Sequence, residues 1–275
     1  VPPFIEIRAL EHVYPLDGGG QVAALRGIDL AIARGEFVAI VGPNGSGKST
    51  LARHLNALLL PTAGEVRIDG LLTTEPRNLW TVRQRVGMVF QNPDNQIVAS
   101  TVEEDVAFGP ENAALPSSEI RRRVDEALET VGLIEYRTHP PHMLSGGQRQ
   151  LLAIAGVLAT RPAGIVFDEP TSMLDPLSRH QVLTTIQRLN GGGLTVVLIT
   201  QAMDEAAAAR RVLVMGAGRI VMDGSPAEVF EQGARLGELG LGLPPAVEIA
   251  HGLRERGLRL PPGLLTVEQL AVALC

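Results

Sequence analysis

One cysteine occurs in the 275 residues, and it is the last of them, Cys275. A single thiol closes no intramolecular disulfide, which fits a reducing compartment. Aromatic residues make up 3% of the chain, so Val, Ile, Leu and Ala must fill the core. No run approaches the roughly 18 apolar residues needed to cross a bilayer. The opening VPPFIEIRAL lacks the basic region and apolar stretch of a signal peptide. The chain is therefore expected to be soluble and to serve a membrane, if it does so, as a docked partner. Positive charge is also in deficit: 24 Lys and Arg stand against 30 Asp and Glu, a formal net charge of -6. Nucleic-acid binding needs a basic surface, so the balance argues against that class of partner. The one tight basic cluster, Arg121 to Arg123, reads as the solvated face of a helix.

What is present is ordinary for a folded α/β protein: 45% hydrophobic and 20% charged residues, enough length for one large domain or a domain with an extension. Apolar runs at 4–10, 28–32, 37–41, 65–69, 86–90, 164–168, 194–200 and 211–215 read as strands, with 219–223 as a hairpin partner across a GAG turn. FVAIV, GIVFD and LTVVLIT are uniformly apolar, as strands covered on both faces are. The early runs alternate more, as in an antiparallel layer open on one side. Thr101 with Glu104, Ser225 with Glu228 and Thr266 with Gln269 predict capped helix starts, and Pro226 takes the favoured first helical position. Residues 117–131 carry helical spacing and stop at Gly132. Between about 92 and 160 strand signals vanish, which predicts a helical insertion. From about 231, LGELGLGLPP precedes two more helices. The expected organisation is a domain over 1–230, with the insertion at 92–160, and a C-terminal extension over 231–275. No internal repeat is found.

Three motifs carry chemistry. Gly42, Pro43, Asn44, Gly45, Ser46, Gly47, Lys48, Ser49 and Thr50 fit G-x-x-x-x-G-K-[ST] between a strand and a helical stretch. Glycines let successive N–H groups turn inward onto phosphate oxygens, and the helix start adds partial positive charge. Lys48 is expected to reach the β- and γ-phosphates and Ser49 to bind Mg²⁺. The strand GIVFDEP delivers Asp168 and Glu169 at its end. Burying unpaired charge is expensive, so a carboxylate pair there needs a purpose: Asp168 holding Mg²⁺ through its water shell, Glu169 polarising the attacking water. LSGGQ, with Ser145, Gly146, Gly147 and Gln148, precedes an apolar helix and offers a hydroxyl and bare N–H groups as a second anion site.

In this order, with Gln91 ending VGMVFQ and SMLD at Ser172 to Asp175, the motifs resemble the nucleotide-binding subunits of ABC transporters over roughly residues 4–230. The resemblance implies a P-loop NTPase fold with an antiparallel β layer, a helical signature subdomain and a small C-terminal helical extension. It implies ATP and Mg²⁺ as ligands, and composite sites in which the signature of one subunit completes the ATP site of a second ATPase. Tyr14 matches the aromatic that stacks on adenine. Gln91 matches the residue that links Mg²⁺ and the attacking water to the membrane partner. The stretches QNPDNQIVASTVEEDVAFGPEN, HLNALLLPTAGEV, MDGSPAEVF and LGLPPAVEIAHGLRERG are similar to energy-coupling-factor transporter ATPases. That branch implies uptake of vitamins or of cobalt or nickel, a location on the cytoplasmic face of the membrane, and three partners. These are a second ATPase subunit, either another copy or a paralogue; a transmembrane coupling subunit, received in a groove lined by NPDNQ; and a substrate-binding membrane subunit. The C-terminal helices resemble those through which such ATPases pair.

Two positions depart from the family pattern. Gln201 follows the strand LTVVLIT where a histidine is usual, and Leu151 stands where arginine is more common. A glutamine amide donates and accepts hydrogen bonds but never becomes cationic, so Gln201 reads as a weakened switch residue. Two functions remain open on this sequence: an active motor ATPase, and a nucleotide-binding structural subunit whose partner performs most of the hydrolysis. The presence of Lys48, Glu169 and LSGGQ together favours the first.

Overall fold

The computed structural model describes residues 2–16 and 18–275. Two sheets form the frame. Strands β1 (Ile5–Pro15), β2 (Gln21–Ile32), β4 (Ala63–Ile68) and β5 (Leu71–Leu72) make an antiparallel sheet in the order β2-β1-β4-β5. Strands β3 (Phe37–Val41), β6 (Val86–Val89), β7 (Gly164–Asp168), β8 (Thr195–Ile199), β9 (Arg211–Gly216) and β10 (Arg219–Gly224) make the second, in the order β10-β9-β3-β8-β7-β6. The pairings of β3 with β8 and β9, and of β7 with β6 and β8, are parallel; β10 pairs antiparallel to β9.

The central strands β3, β7 and β8 are buried at every position. Alternate side chains enter opposite layers, as the two-residue strand period requires. Val38 and Ile40 face a core shared with β1, β2, β4 and helix α1 (Lys48–Leu55), while Phe37, Ala39 and Val41 face a second core. That second core is built mainly by α3 (Val102–Asn112), α4 (Ser117–Val131), α5 (Gly146–Leu158) and α6 (Pro176–Gly191). A short α2 (Leu79–Arg85) leads into β6. The stretch between β6 and β7 holds only helices and turns. The helix predicted at 117–131 is α4, and Gly132 ends it in the left-handed conformation, with φ 74°.

The antiparallel strands run well past the apolar runs that signalled them. β1 continues to Pro15 and β2 begins at Gln21, because cross-strand hydrogen bonding extends the pair with register shifts near Leu10 and His12. β5, two residues long, has too little pattern to be legible. Beyond β10, four helices follow where three starts or stretches were expected: α8 (Pro226–Phe230), α9 (Gly233–Glu238), α10 (Pro245–Glu255) and α11 (Val267–Leu274). Leu236 and Val247 join the main core, while Ala250, Leu264 and Leu270 form a small cluster of their own. The three predicted capping boxes are formed. Among the described residues no helix is long and apolar enough to cross a membrane.

Candidate active site

The parallel strands β3, β7 and β8 end at one level, since Asp168 pairs with Ile199 and Ile40 pairs with the same residue from the other side. Ligands of open α/β sheets bind beyond such carboxyl ends. Gly42–Thr50, Asp168, Glu169 and Gln201 all lie there.

The loop after β3 folds tightly. A β-carbon on Gly42 would sit 2.4 Å from the Met215 carbonyl, and one on Gly47 would sit 2.6 Å from the Ala24 carbonyl. Gly47 also has φ 101°, a conformation few side chains tolerate. Lys48 starts α1, is nearly fully buried, and donates from Nζ to the Gly42 carbonyl at 2.8 Å and the Pro43 carbonyl at 3.1 Å. Burial pushes its pKa down, opposed by the nearby Glu169 and Asp168 carboxylates. The ammonium is held inside the loop, pointing at the space the loop encloses.

Ser49 donates to Asp168 Oδ1 at 3.0 Å. Burial pushes the Asp168 carboxyl up and the Ser49 hydrogen bond draws it back. One hydroxyl and one carboxylate oxygen suit a hard cation that keeps most of its water and takes its other ligands from phosphate. No cluster of three or more His, Cys, Asp or Glu able to hold a metal exists among the described residues.

Glu169 has φ 50°, the left-handed region, unusual for a non-glycine residue. Its backbone N–H donates to the Ile199 carbonyl at 2.9 Å, and Ser172 Oγ donates to its carbonyl at 3.0 Å. Its carboxylate is held from both sides by amides. Gln201 Nε2 donates to Oε1 at 2.8 Å, and Gln91 Nε2 lies 3.5 Å from Oε2. Gln201 Nε2 also donates to Asn44 Oδ1 at 3.0 Å, and Gln91 Nε2 to Ser172 Oγ at 3.1 Å. Both N–H groups of Gln201 are thereby committed, and only its carbonyl oxygen remains to meet a substrate.

Tyr14 is half-buried, with its hydroxyl 3.3 Å from Thr50 Oγ1 and its ring edge-on to His12. Ser145, Gly146, Gly147 and Gln148 lie apart from this group. They make no hydrogen bond to the P-loop among the described residues, and Gly147 instead abuts Ser178 in the first turn of α6. Ser145 and Gln148 form a fourth capping box, an S-x-x-Q pattern as legible in the sequence as the other three. Two polar contacts of α5 have no counterpart in the motif pattern. Fully buried Gln150 donates to the Phe90 carbonyl at 3.2 Å, and Arg149 pairs with Asp94 at 3.0 Å. The available signal is a glutamine directly before the apolar run LLAIAGVLA, within the helix. Leu151 packs in the core.

The model of the ABC transporter family matches residues 25–172. The chain belongs to the ABC transporter family, in its energy-coupling-factor branch. It is 60% identical, over 99% of its length and 97% of the relative's, to the energy-coupling factor transporter ATP-binding protein EcfA1 of Symbiobacterium thermophilum. It is 49% identical to the cobalt import ATP-binding protein CbiO of Syntrophus aciditrophicus, over 97% of this chain and 94% of that one. Among solved structures it resembles cbiO1 from Clostridium perfringens, described as part of the ABC transporter complex cbiONQ, with TM-score 0.77 and 35% identity over 91% of this chain and all of that one. It also resembles the ATP-binding cassette MJ0796, solved as a dimer in a post-hydrolysis state with ADP and Pi, with TM-score 0.73 and 33% identity over 81% of this chain and 98% of that one. The family and fold read from the ordered motifs hold, and this energy-coupling-factor subunit is an ATP-binding ATPase coupled to transport.

Proposed function

We propose that this chain is the ATP-hydrolysing motor of an importer for a vitamin or a transition-metal ion, peripheral to the cytoplasmic face of the membrane. It works with a second ATPase subunit, a transmembrane coupling subunit and a substrate-binding membrane subunit. The observation that supports hydrolysis by this chain's own site is the Glu169 carboxylate, set at the end of the central sheet with an amide on each oxygen. Lys48 and the loop N–H groups bind the ATP phosphates. Glu169 takes the proton of the attacking water, and Gln91 and Gln201 orient that carboxylate. Ser49 and Asp168 would hold Mg²⁺, which when bound neutralises phosphate charge. Ser145 to Gln148, which make no hydrogen bond to this P-loop among the described residues, serve the site of the opposite ATPase, and Tyr14 flanks the base of the nucleotide. Comparing turnover of the purified chain with turnover in its complex separates a motor from a structural subunit: a motor hydrolyses ATP at a site that Glu169 controls.

Gln201 sets the speed of that site. With both amide protons spent on Glu169 and Asn44, it offers phosphate no donor, whereas an imidazolium would add a charge-assisted one. Gln201→His is expected to raise kcat by about 5–30-fold, equivalent to about 1–2 kcal/mol at the transition state, with little change in nucleotide affinity. Gln201→Ala should lower kcat below the parent. Equal rates for Ala and Gln in the assembled complex would show that the side chain does not act.

In this proposal the membrane partner occupies a groove of about 830 Å³ between α2 and α3, whose lining includes Trp80, Arg83, Phe108 and Arg123. Trp80 is 56% exposed and Phe108 51% exposed, unusual for large aromatic side chains without a partner. Residues 91–98, expected from the resemblance to line the groove, are not part of this cavity: Asn92 caps the short turn 93–95 and Asp94 faces Arg149. Phe108→Asp is expected to abolish co-purification of the transmembrane subunit while nucleotide binding persists. Complex assembly at parental yield would move the interface elsewhere.

In this proposal the second ATPase packs against the C-terminal helices, where Ile249, Val267 and Val272 are exposed. Removal of residues 240–275 is expected to weaken pairing in sedimentation. Unchanged pairing would show that these helices serve only to cover their own domain.

A further inference from the structure

A buried carboxylate outside the group described above ties the active site together from behind. Glu205 lies on the single-turn helix α7 (Met203–Ala206), and its side chain is 1% exposed. Its Oε1 accepts from the Thr171 hydroxyl at 2.6 Å and from Arg179 Nε at 2.7 Å. Its Oε2 accepts from the Thr200 hydroxyl at 2.5 Å. The same Thr200 hydroxyl accepts from the Ala202 N–H at 3.0 Å. Arg179 forks onward to both oxygens of Asp204 at 2.9 Å.

These contacts join three segments: Thr171 two residues after the base, Thr200 and Ala202 on either side of Gln201, and Arg179 one turn into α6. A cavity of about 270 Å³ opens at their junction, lined by Glu169 and Gln201 as well as by Glu205, Thr171, Thr200 and Arg179. A charge this deeply buried is costly unless fully partnered, and the three partners supplied here are Arg179, Thr200 next to the working glutamine, and Thr171 two residues after the working glutamate. A carboxylate with three short, partly charge-assisted hydrogen bonds fixes direction as well as distance. Gln201 itself is exposed and reaches Glu169 by a flexible side chain, so its aim depends on how firmly residues 200–202 are held.

We infer that Glu205 is a positioning residue for hydrolysis: it locks the turn that carries Gln201 against the segment that carries Glu169, and it acts through Gln201 without touching substrate. The inference rests on the reading of Glu169 as the general base.

The test uses the full chain in its complex, with phosphate release for turnover and a fluorescent ATP analogue for affinity. Glu205→Gln retains size and one acceptor oxygen but loses the charge that holds Arg179. It is expected to lower kcat by about ten-fold or more, with nucleotide Kd within about two-fold. In a Gln201→Ala background the same change should cost less than about two-fold, because the group being aimed is gone. Should Glu205→Gln fail to fold, Thr200→Val, which deletes one hydroxyl at constant shape, is expected to show the same kcat-only loss and the same loss of effect beside Gln201→Ala. Parental kcat in the folded variant, or a full additional loss in the Gln201→Ala background, overturns the proposal. Failure of the underlying reading has a different signature: parental turnover in Glu169→Gln.

Discussion

Replacing Glu169 with glutamine is expected to lower ATP hydrolysis by about 10²–10⁴-fold, the usual loss when a general base is removed, while ATP still binds. The substitution keeps the shape of the side chain, and the left-handed backbone at this position, φ 50°, is no worse for Gln than for Glu. An amide in place of the carboxylate still offers one acceptor to Gln201, but it cannot take a proton from water. The variant should therefore bind nucleotide, assemble with its partners and stall before hydrolysis. Phosphate release and binding of a non-hydrolysable analogue, measured on the same preparation, separate the two effects. Parental turnover would remove Glu169 from the mechanism and leave the protein a nucleotide-binding structural subunit.

Lys48→Ala should fail one step earlier. The ammonium is already desolvated and docked on the carbonyls of Gly42 and Pro43 at 2.8 and 3.1 Å, so little ordering remains to be done when a phosphate arrives. Hydrogen bonds to charged groups contribute about 1.5–3 kcal/mol each, which predicts an ATP affinity loss of about 10–150-fold. Lys48→Arg is expected to rescue little, because a planar guanidinium does not fit a slot shaped for a compact ammonium. Calorimetric titration in a Glu169→Gln background keeps the ATP intact. Unchanged affinity in Lys48→Ala would mean that the lysine serves only to brace the loop.

Much of this site is legible in the sequence because the sheet concentrates it. A run such as FVAIV or GIVFD can only be a strand covered on both faces, and the residue that follows such a strand lands at the ligand edge. That logic places Gly42, Asp168, Glu169 and Gln201 from the sequence alone. It does not tell which side chains touch. The bond from Gln201 to Asn44 spans 157 positions, and that from Gln91 to Ser172 spans 81; no local pattern encodes them. The Glu205 hub is hidden for the same reason: in the string MDEA an acidic residue reads as the exposed start of a helix, and only tertiary packing reveals that one of the two acids is swallowed and the other is not. Strand ends in the antiparallel sheet leave little trace in the sequence because the outer residues are polar and are held by a neighbour's backbone, not by burial.

Helix α5 has a mechanical consequence. Thirteen residues long, it is a rod of about 20 Å, wedged among α3, α4, α6 and β6. Its tip carries Ser145, and its first turns grip residues 90 and 94 through Gln150 and Arg149. A tilt of about 10° moves one end of such a rod by about 3 Å relative to the other, which is more than a hydrogen bond survives. The helical layer therefore behaves as a lever with a short clutch: it can swing only if Phe90 and Asp94 travel with it, and whatever they drag includes Gln91. Severing Gln150 from Phe90 should therefore let the Ser145 end of the helix move without Gln91.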